Sequence, residues 1–513
     1  MNISLARKVL EGLASQGVRD ILLCAGARNS PLVMLLENSK GFRVSHFFEE
    51  RSAGFFALGR SQQDQTPVAV ITTSGTAVAE LIPAAVEATY TQTPLIFVTA
   101  DRPRSYRGTG APQSIDQVGI FFKYVETCVD MASPDEEFDL SLWTRTQPLQ
   151  INVCFDEPLI DEEIPEIDFS QLPVASFSQA KLSSSQIFNL NQPLVIAGPL
   201  SIQDAKTVVP FLAKLGAPIY AESLSNLRNE PALKNLFLKS GDQIVKDLFG
   251  KGWAQSVVRV GGVPTLRFWR DLEEVFQKIP VVNLSNTEWT GLSRRTQHLV
   301  GLEHQNLIKA QWIQDTRSEI FGLDRKRSEA LVSLMQKYPR SEVSLLNQLN
   351  PLIQNQQVYL GNSLPIREWD LVASYQEGAS RQAGNRGANG IDGQISSFLG
   401  GAVTDRENWA LIGDLTALYD LSSLWITPQM QASKLRLVVI NNQGGQIFKN
   451  MFDKDIFLNR HQIEFSSWAQ MWKWDYQKWT EVPNSSNLPD RIVIELVPDV
   501  EQSHLFWQEL KNL

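Results

Sequence analysis

Cysteine is scarce in this chain: Cys24, Cys128 and Cys154 are the only three in 513 residues, far apart and each inside an apolar run. An odd number with no pairing pattern argues against a disulfide framework and predicts reduced core thiols in a cytoplasmic protein. Histidine is scarce as well. The five histidines form no metal-ligand spacing, and His298 and His304 do not share a helix face, so nothing suggests zinc. No run approaches the roughly 18 consecutive apolar residues of a membrane span. Leu5, Val9, Leu10 and Leu13 recur at helical spacing among polar residues, which is not the pattern of a signal peptide. Excess positive charge is missing too: the formal net charge of −9 argues against a nucleic-acid surface. What remains is a globular composition, 43% hydrophobic and 20% charged, with length for two to four domains.

The most informative stretch runs from residue 411 to 448 and reads as strand, turn, helix, strand, turn. An apolar run over 409–412 ends in Gly413-Asp414. Leu418, Leu421, Leu424 and Trp425 then follow at helical spacing, and a second buried strand over 435–440 ends in Asn441-Asn442. Parallel strands finish on the same sheet edge, where open α/β folds bind ligands. One crossover can therefore bring Asp414 and Asn442 together with a free carbonyl near Gly444. This hard, oxygen-only set suits Mg²⁺ holding two phosphate oxygens, and a helix starting at Leu415 would aim N–H groups at the same diphosphate. Taken singly, Asp414 is a helix cap and Asn441-Asn442 a turn; the βαβ unit joining them favours the metal.

Taken in order, residues 1 to about 170 alternate helix and strand. Helices are expected over 4–16, 52–62 and 77–90, and strands over 20–24, 43–48, 68–72 and 95–99, each strand ending in a polar, Gly- or Arg-bearing turn. This is the pattern of a doubly wound parallel sheet. Acidic and proline residues over 161–173 and the serines around 183–185 read as a linker. A middle α/β unit follows, with strands near 194–196, 219 and 257–260 and long polar helices over 305–338. A third begins near Ser341, with a strand over 358–360 ending in Gly361-Asn362-Ser363, a glycine-dense loop over 384–393 and a helix over 395–403. Trp468, Trp472, Trp474 and Trp479 read as core and dimer surface rather than ligand stacking. The first and third units share a style without a visible sequence repeat.

Gly413-Asp414 followed after one crossover by Asn441-Asn442 resembles the motif of thiamine diphosphate-dependent enzymes, although Leu415 stands where that family usually has a small residue. Seven phrases carry the resemblance in order between about residues 25 and 450: GARNSPL, FFEERSAGFFALG, TSGTAVAELIPA, TADRP, NRGANGIDG, GDLTALYDL and NNQGGQIF. They point to a branch of the family that carries GDL itself. The resemblance implies an α/β fold of three doubly wound parallel-sheet domains: 1–175 for the aminopyrimidine, 190–335 as a central domain, and 341–513 for diphosphate and metal. It also implies a homodimer, or a dimer of dimers, whose active sites are shared between subunits.

In that family a glutamate at the end of the second strand bonds the ring nitrogen N1′, and Glu50 matches it. Gln113 matches a position near the cofactor's reactive end. Asp414, Asn442 and the Gly444 carbonyl would hold Mg²⁺ or Mn²⁺. Ser363, Asn389, Thr416 and Ala417 would face the diphosphate, and Ile391 would support the cofactor from below. The branch decarboxylates 2-oxoglutarate and adds the succinyl unit to isochorismate in menaquinone and phylloquinone biosynthesis. Three substrate carboxylates call for guanidinium partners, for which Arg28, Arg102, Arg367 and Arg386 stand at strand ends. Arg267 matches a further substrate arginine, beside Leu266 where lysine is frequent. Each assignment has a plainer alternative: acids at a helix N-terminus for Glu49 and Glu50, surface ion pairs for the arginines. The competing functions are another thiamine diphosphate-dependent decarboxylase or carboligase, and a non-catalytic α/β module. The latter predicts loss of Glu50, Asp414 or Asn442, and all three stand.

Overall fold

The computed structural model describes residues 1–175, 186–375, 378, 380–449, 451–452, 454–484 and 487–513. The serines at 183–185 that read as a linker lie outside the described residues. The chain divides into two compact units, one of residues 1–179, 385–402 and 416–433, the other of 180–384, 403–415 and 434–513.

The first unit is built on a six-stranded sheet in the spatial order Arg43–Phe47, Asp20–Cys24, Val68–Thr72, Leu95–Asp101, Leu149–Cys154, Cys128–Met131. Every pairing is parallel. Val68–Thr72 and Leu95–Asp101 are buried along their whole length, as expected of strands covered on both faces. Leu5, Val9, Leu10 and Leu13 of the helix Asn2–Ser15 pack with Ile21, Leu23, Ile96 and Val98 in one core. The helix expected over 77–90 is two helices, Thr76–Ala79 and Ile82–Thr91. Pro83 is the reason: it has no N–H for the carbonyl of residue 79, and its fixed φ suits the opening turn of a new helix.

The second unit holds two parallel sheets. One has five strands in the order Ile219–Ala221, Pro193–Ala197, Ser256–Val260, Val281–Ser285, Gln297–Val300. The other has six, in the order Arg381–Ala383, Gln357–Leu360, Asn408–Gly413, Leu435–Ile440, Arg491–Leu496, Asp475–Trp479. Counted along the chain, both six-stranded sheets follow the same order, 2-1-3-4-6-5. The likeness without a sequence repeat is a shared topology. The polar stretch expected to be helical from 305 opens instead with a 3₁₀ turn and the strand Ile308–Gln311, and the helix runs Arg317–Lys337.

The crossover between Asn408–Gly413 and Leu435–Ile440 also departs from expectation. It is a short helix, Asp414–Tyr419, and a 3₁₀ segment, Ser423–Gln429. Leu421 and Trp425 are exposed, while Thr416, Ala417, Asp420, Leu424 and Ile426 are buried. Of the residues at helical spacing Leu424 is buried, and Asp420, held by two backbone N–H groups, is buried as well. Trp468, Trp474 and Trp479 are core residues. Among the described residues no helix is long and apolar enough to cross a membrane, and all three cysteines are free thiols.

Candidate active site

In the first unit two adjacent acids divide the work at the end of the strand Arg43–Phe47. Glu49 is the cap of the helix Glu50–Asp64, accepting the Arg51 and Ser52 N–H groups at 3.0 and 3.2 Å. The capping role thus falls to Glu49, and Glu50 is left half-buried at the first helical position. Burial first, then the charges of Glu49 and Glu80, hold the Glu50 carboxyl above the usual carboxylate range.

The loop after Leu95–Asp101 carries Arg102 and Gln113. Arg102 donates from Nε to the Pro112 carbonyl at 2.8 Å, and its guanidinium lies 5.6 Å from the Tyr106 ring centre. Gln113 has φ +58 and packs over Gly75, where an added Cβ would meet its Cα at 3.4 Å. Beneath them is a buried amide network. Gln117 donates to the Ala100 carbonyl at 3.0 Å and to Asn152 Oδ1 at 2.7 Å, and Asn152 donates to Asp130 at 2.8 Å. Arg28, buried, donates to the Phe155 carbonyl at 3.0 Å and lies 3.3 Å from Glu157.

Arg386, Asn389 and Ile391 share the glycine-dense loop, and two buried carboxylates grip its ends. Glu87 accepts the Gly387 and Ala388 N–H groups at 2.7 and 2.6 Å, with Arg386 close enough to favour its charge. Asp420 accepts the Gly393 and Ile395 N–H groups at 2.8 and 3.1 Å, and Arg51 lies 3.7 Å away. Burial dominates nonetheless and pushes Asp420 up to about 7. Gly393, at φ +68, has no room for a side chain: a Cβ would fall 1.9 Å from the Phe55 ring. Ile391 is half-buried, not core. Thr416 and Ala417 are buried in the helix Asp414–Tyr419.

In the second unit the two halves of the Asp–Asn motif meet at one sheet edge. Asp414 is buried. Its Oδ1 accepts the Leu415 N–H at 2.7 Å and its Oδ2 the Gly444 N–H at 2.9 Å. His461 Nε2 lies 3.3 Å from the same Oδ2. His461 Nδ1 accepts the Ile463 N–H at 3.2 Å, which assigns the proton of a neutral ring to Nε2. The turn itself is tight: Gln443 and Gly444 have φ +64 and +128, and a Cβ on Gly444 would sit 2.4 Å from the Leu458 carbonyl.

The paired asparagines separate as the paired glutamates do. Asn441 is tied down, donating to the Ile463 carbonyl at 2.9 Å and to Glu495 at 2.8 Å. Asn442 donates from Nδ2 to Glu342 at 2.9 Å, while its Oδ1 is buried without a hydrogen-bond partner. A buried orphan oxygen, a buried carboxylate and a glycine turn fit a small hard cation. Among the described residues no three His, Cys, Asp or Glu side chains cluster as a metal site.

Ser363, at φ +76, opens the helix Leu364–Val372, and Arg367 lies one turn further on, exposed. A cavity of about 300 Å³ is lined by Arg367, Asn442, Glu342, Glu368, Asp242 and Gln446, among others. Arg267 stands in the neighbourhood of the five-stranded sheet, at the start of the helix Arg267–Glu274. It is 61% exposed and donates to Asp271, one turn along its helix, at 2.9 Å. Glu342, Glu368, His461, Glu87 and Asp420 escaped the reading of the sequence. Only Glu342 had a signal, an acid after the capping serine Ser341, and that signal speaks of a helix start and not of Asn442.

Comparison with known proteins identifies the family. The family "Thiamine pyrophosphate enzyme, N-terminal TPP binding domain" matches residues 3–120. A 2-succinyl-5-enolpyruvyl-6-hydroxy-3-cyclohexene-1-carboxylate synthase of Bdellovibrio bacteriovorus is 48% identical, covering 99% of this chain and 98% of its own length. Proteins of the same name from Akkermansia muciniphila and Geobacillus kaustophilus are 33% and 32% identical, covering 99% and 86% of this chain and 98% and 83% of their own lengths. With near-complete coverage at that identity, this chain belongs to the 2-succinyl-5-enolpyruvyl-6-hydroxy-3-cyclohexene-1-carboxylate synthase family, thiamine diphosphate-dependent enzymes that form carbon–carbon bonds.

Proposed function

We propose that the chain removes CO₂ from 2-oxoglutarate and joins the remaining succinyl unit to isochorismate by 1,4-addition. The product is 2-succinyl-5-enolpyruvyl-6-hydroxy-3-cyclohexene-1-carboxylate, on the way to menaquinone or phylloquinone. The observation that carries this reading is the 48% identity with a synthase of that product over 99% of this chain, and the buried, unpartnered Asn442 Oδ1 on the same turn as the Asp414–Gly444 bond supports the metal it would need. Thiamine diphosphate, when bound, supplies the nucleophilic carbon and the electron sink that decarboxylation needs.

Asp414, Asn442 and the Gly444 carbonyl hold Mg²⁺ or Mn²⁺, whose charge offsets that of the diphosphate. Ser363, Asn389, Thr416 and Ala417 face the diphosphate, and Ile391 supports the cofactor. Glu50 bonds N1′ and moves its proton, a role suited to a carboxyl held above its ordinary range by burial. Gln113 stands near the reactive end. Arg28, Arg102, Arg367 and Arg386 bind substrate carboxylates, and Arg267 joins them through the terminal nitrogens of its guanidinium, its Nε being held by Asp271. The three sheets are cores of domains 1–175, 190–335 and 341–513. The working form is a cytoplasmic homodimer or dimer of dimers. The exposed Phe48, Tyr419, Leu421 and Trp425, with Phe48 and Trp425 edge-on at 5.0 Å, support self-association.

The test is to incubate the protein with both substrates, thiamine diphosphate and Mg²⁺ and to weigh the product. The adduct is expected, and Asp414→Ala should abolish both product and metal-dependent cofactor binding. Release of CO₂ without an isochorismate adduct would assign a different carboligase or a simple decarboxylase.

A further inference from the structure

Asn442 has two nearly isosteric ends, and only one of them can serve a cation. We propose that Glu342 is a positioning residue for the metal: by accepting the Asn442 Nδ2–H it fixes the amide so that Oδ1, and not the N–H₂ end, is left for the cation. This rests on the metal reading given under Proposed function. The bond measures 2.9 Å, and both residues are buried. An ionised carboxylate only accepts, so the flipped amide would set two acceptors face to face and present N–H groups to a cation. The unpartnered state of Oδ1 is the counterpart of that choice.

Glu342 is itself held from several directions. It opens the helix Glu342–Ile353 directly after Ser341, whose hydroxyl accepts the Ser344 N–H at 3.2 Å. Its own N–H donates to the Ser503 hydroxyl at 3.0 Å. Behind it is Glu368, a fully buried acid on the helix Leu364–Val372, whose carboxyl is held well above the usual range by burial and the charge of Glu342; Glu342 Oε1 and Glu368 Oε2 are both buried without a hydrogen-bond partner. Trp507 Nε1 completes the row by donating to Glu368 at 3.3 Å. The order is Trp507, Glu368, Glu342, Asn442, from the C-terminal helix to the candidate ligand. Partners behind a ligand fix its orientation and can govern metal affinity as strongly as the ligands do.

The row predicts which substitutions matter. Glu342→Met keeps the length of the side chain and removes the acceptor. Glu342→Gln keeps an oxygen for Asn442 and offers its N–H₂ to Glu368. Glu368→Met disturbs the same buried layer but spares the Glu342–Asn442 bond. Mn²⁺ binding to each full-length variant, read by electron paramagnetic resonance at saturating thiamine diphosphate, separates them without an activity assay. Glu342→Met should raise the Mn²⁺ dissociation constant about 10- to 100-fold, whereas Glu342→Gln and Glu368→Met should stay within about threefold of the parent. Should Glu342→Met fail to fold, the double variant Glu342→Met/Glu368→Met removes both buried carboxyls, strands neither, and carries the same expectation.

Parent-like Mn²⁺ affinity in whichever of these two folds overturns the proposal. So does an equal loss in Glu342→Gln or Glu368→Met, which would mark a general packing defect. Asp414→Ala is the reference. If it loses Mn²⁺ while Glu342→Met keeps it, the positioning role alone falls; if it binds Mn²⁺ like the parent, the metal reading falls with it.

Discussion

Glu49 and Glu50 are identical in chemistry and differ only in where the helix begins. The residue at the cap spends its carboxylate on two backbone N–H groups; the next is free to act at the surface of the site. Asn441 and Asn442 divide in the same way, one anchored by Glu495 and a carbonyl, the other leaving its oxygen without a partner. At this scale Glu50→Gln should slow product formation sharply, because an amide cannot carry the N1′ proton as a carboxyl does, while thiamine diphosphate and metal still bind. Calorimetry beside steady-state rates checks both halves. Arg386→Lys keeps the charge and loses the planar fork, and a charge-assisted pair is worth about 1.5–3 kcal/mol. Its kcat/KM should therefore fall roughly tenfold or more, and parent kinetics with both substrates would remove Arg386 from the carboxylate clamp.

Among elements, the loop over 385–393 is the one most constrained from outside itself. Glu87 grips its start and Asp420 its end, so its shape depends on carboxylates far away in sequence. Asp420 has a pH signature. Its carboxyl is raised from an ordinary 3.8 to about 7, so the folded chain holds a proton that the unfolded chain releases. Stability from this group is greatest at low pH and declines as pH climbs through that window, then levels off above it. Asp420→Asn removes the titration. Relative to the parent, its melting temperature should rise as pH goes from 5 to 7.5, and scanning calorimetry at the two values decides. The turn after Leu435–Ile440 makes a second demand. Gly444→Ala places a side chain at φ +128 and a Cβ 2.4 Å from the Leu458 carbonyl. A cost of about 1–3 kcal/mol for the backbone alone is expected, seen as a lower melting temperature and weaker metal-dependent cofactor binding.

For the whole molecule, the recurrence of one strand order in two six-stranded sheets is the main architectural fact. The two sheets bring different chemistry to their edges, Glu50 on one and the Asp414–Asn442 turn on the other. The proposed shared-site dimer makes a prediction that no single chain could satisfy. Glu50→Gln and Asp414→Ala subunits, each inactive alone, should regain activity when refolded together, since one site of the heterodimer keeps both groups. Random pairing in a twofold dimer puts the recovery at about a quarter of the parent rate. Heterodimers seen by native mass spectrometry without recovered product would place both groups in one chain's site.

The alternation of buried strands and helices, the strand ends and the Asp–Asn motif follow from local patterns, and they were legible in the chain alone. Apolar runs as strongly patterned as 68–72 and 435–440 leave little choice of structure, since strands buried on both faces need continuous hydrophobicity. Which acid caps and which stays free, which asparagine keeps an open oxygen, and that Arg267 pairs with Asp271 all depend on partners brought near by folding. The crossover over 414–429 shows the limit: its apolar spacing suggested a helix, yet it folds as a short helix and a 3₁₀ segment that bury Asp420 with Leu424 and leave Trp425 outside. A period in the sequence reports hydrophobicity, whereas burial of a polar residue is decided by the N–H groups that meet it. Glu342 is the sharpest instance. Alone it is an acid at a helix start, and only packing against distant segments brings its carboxylate to Asn442 and its N–H to Ser503.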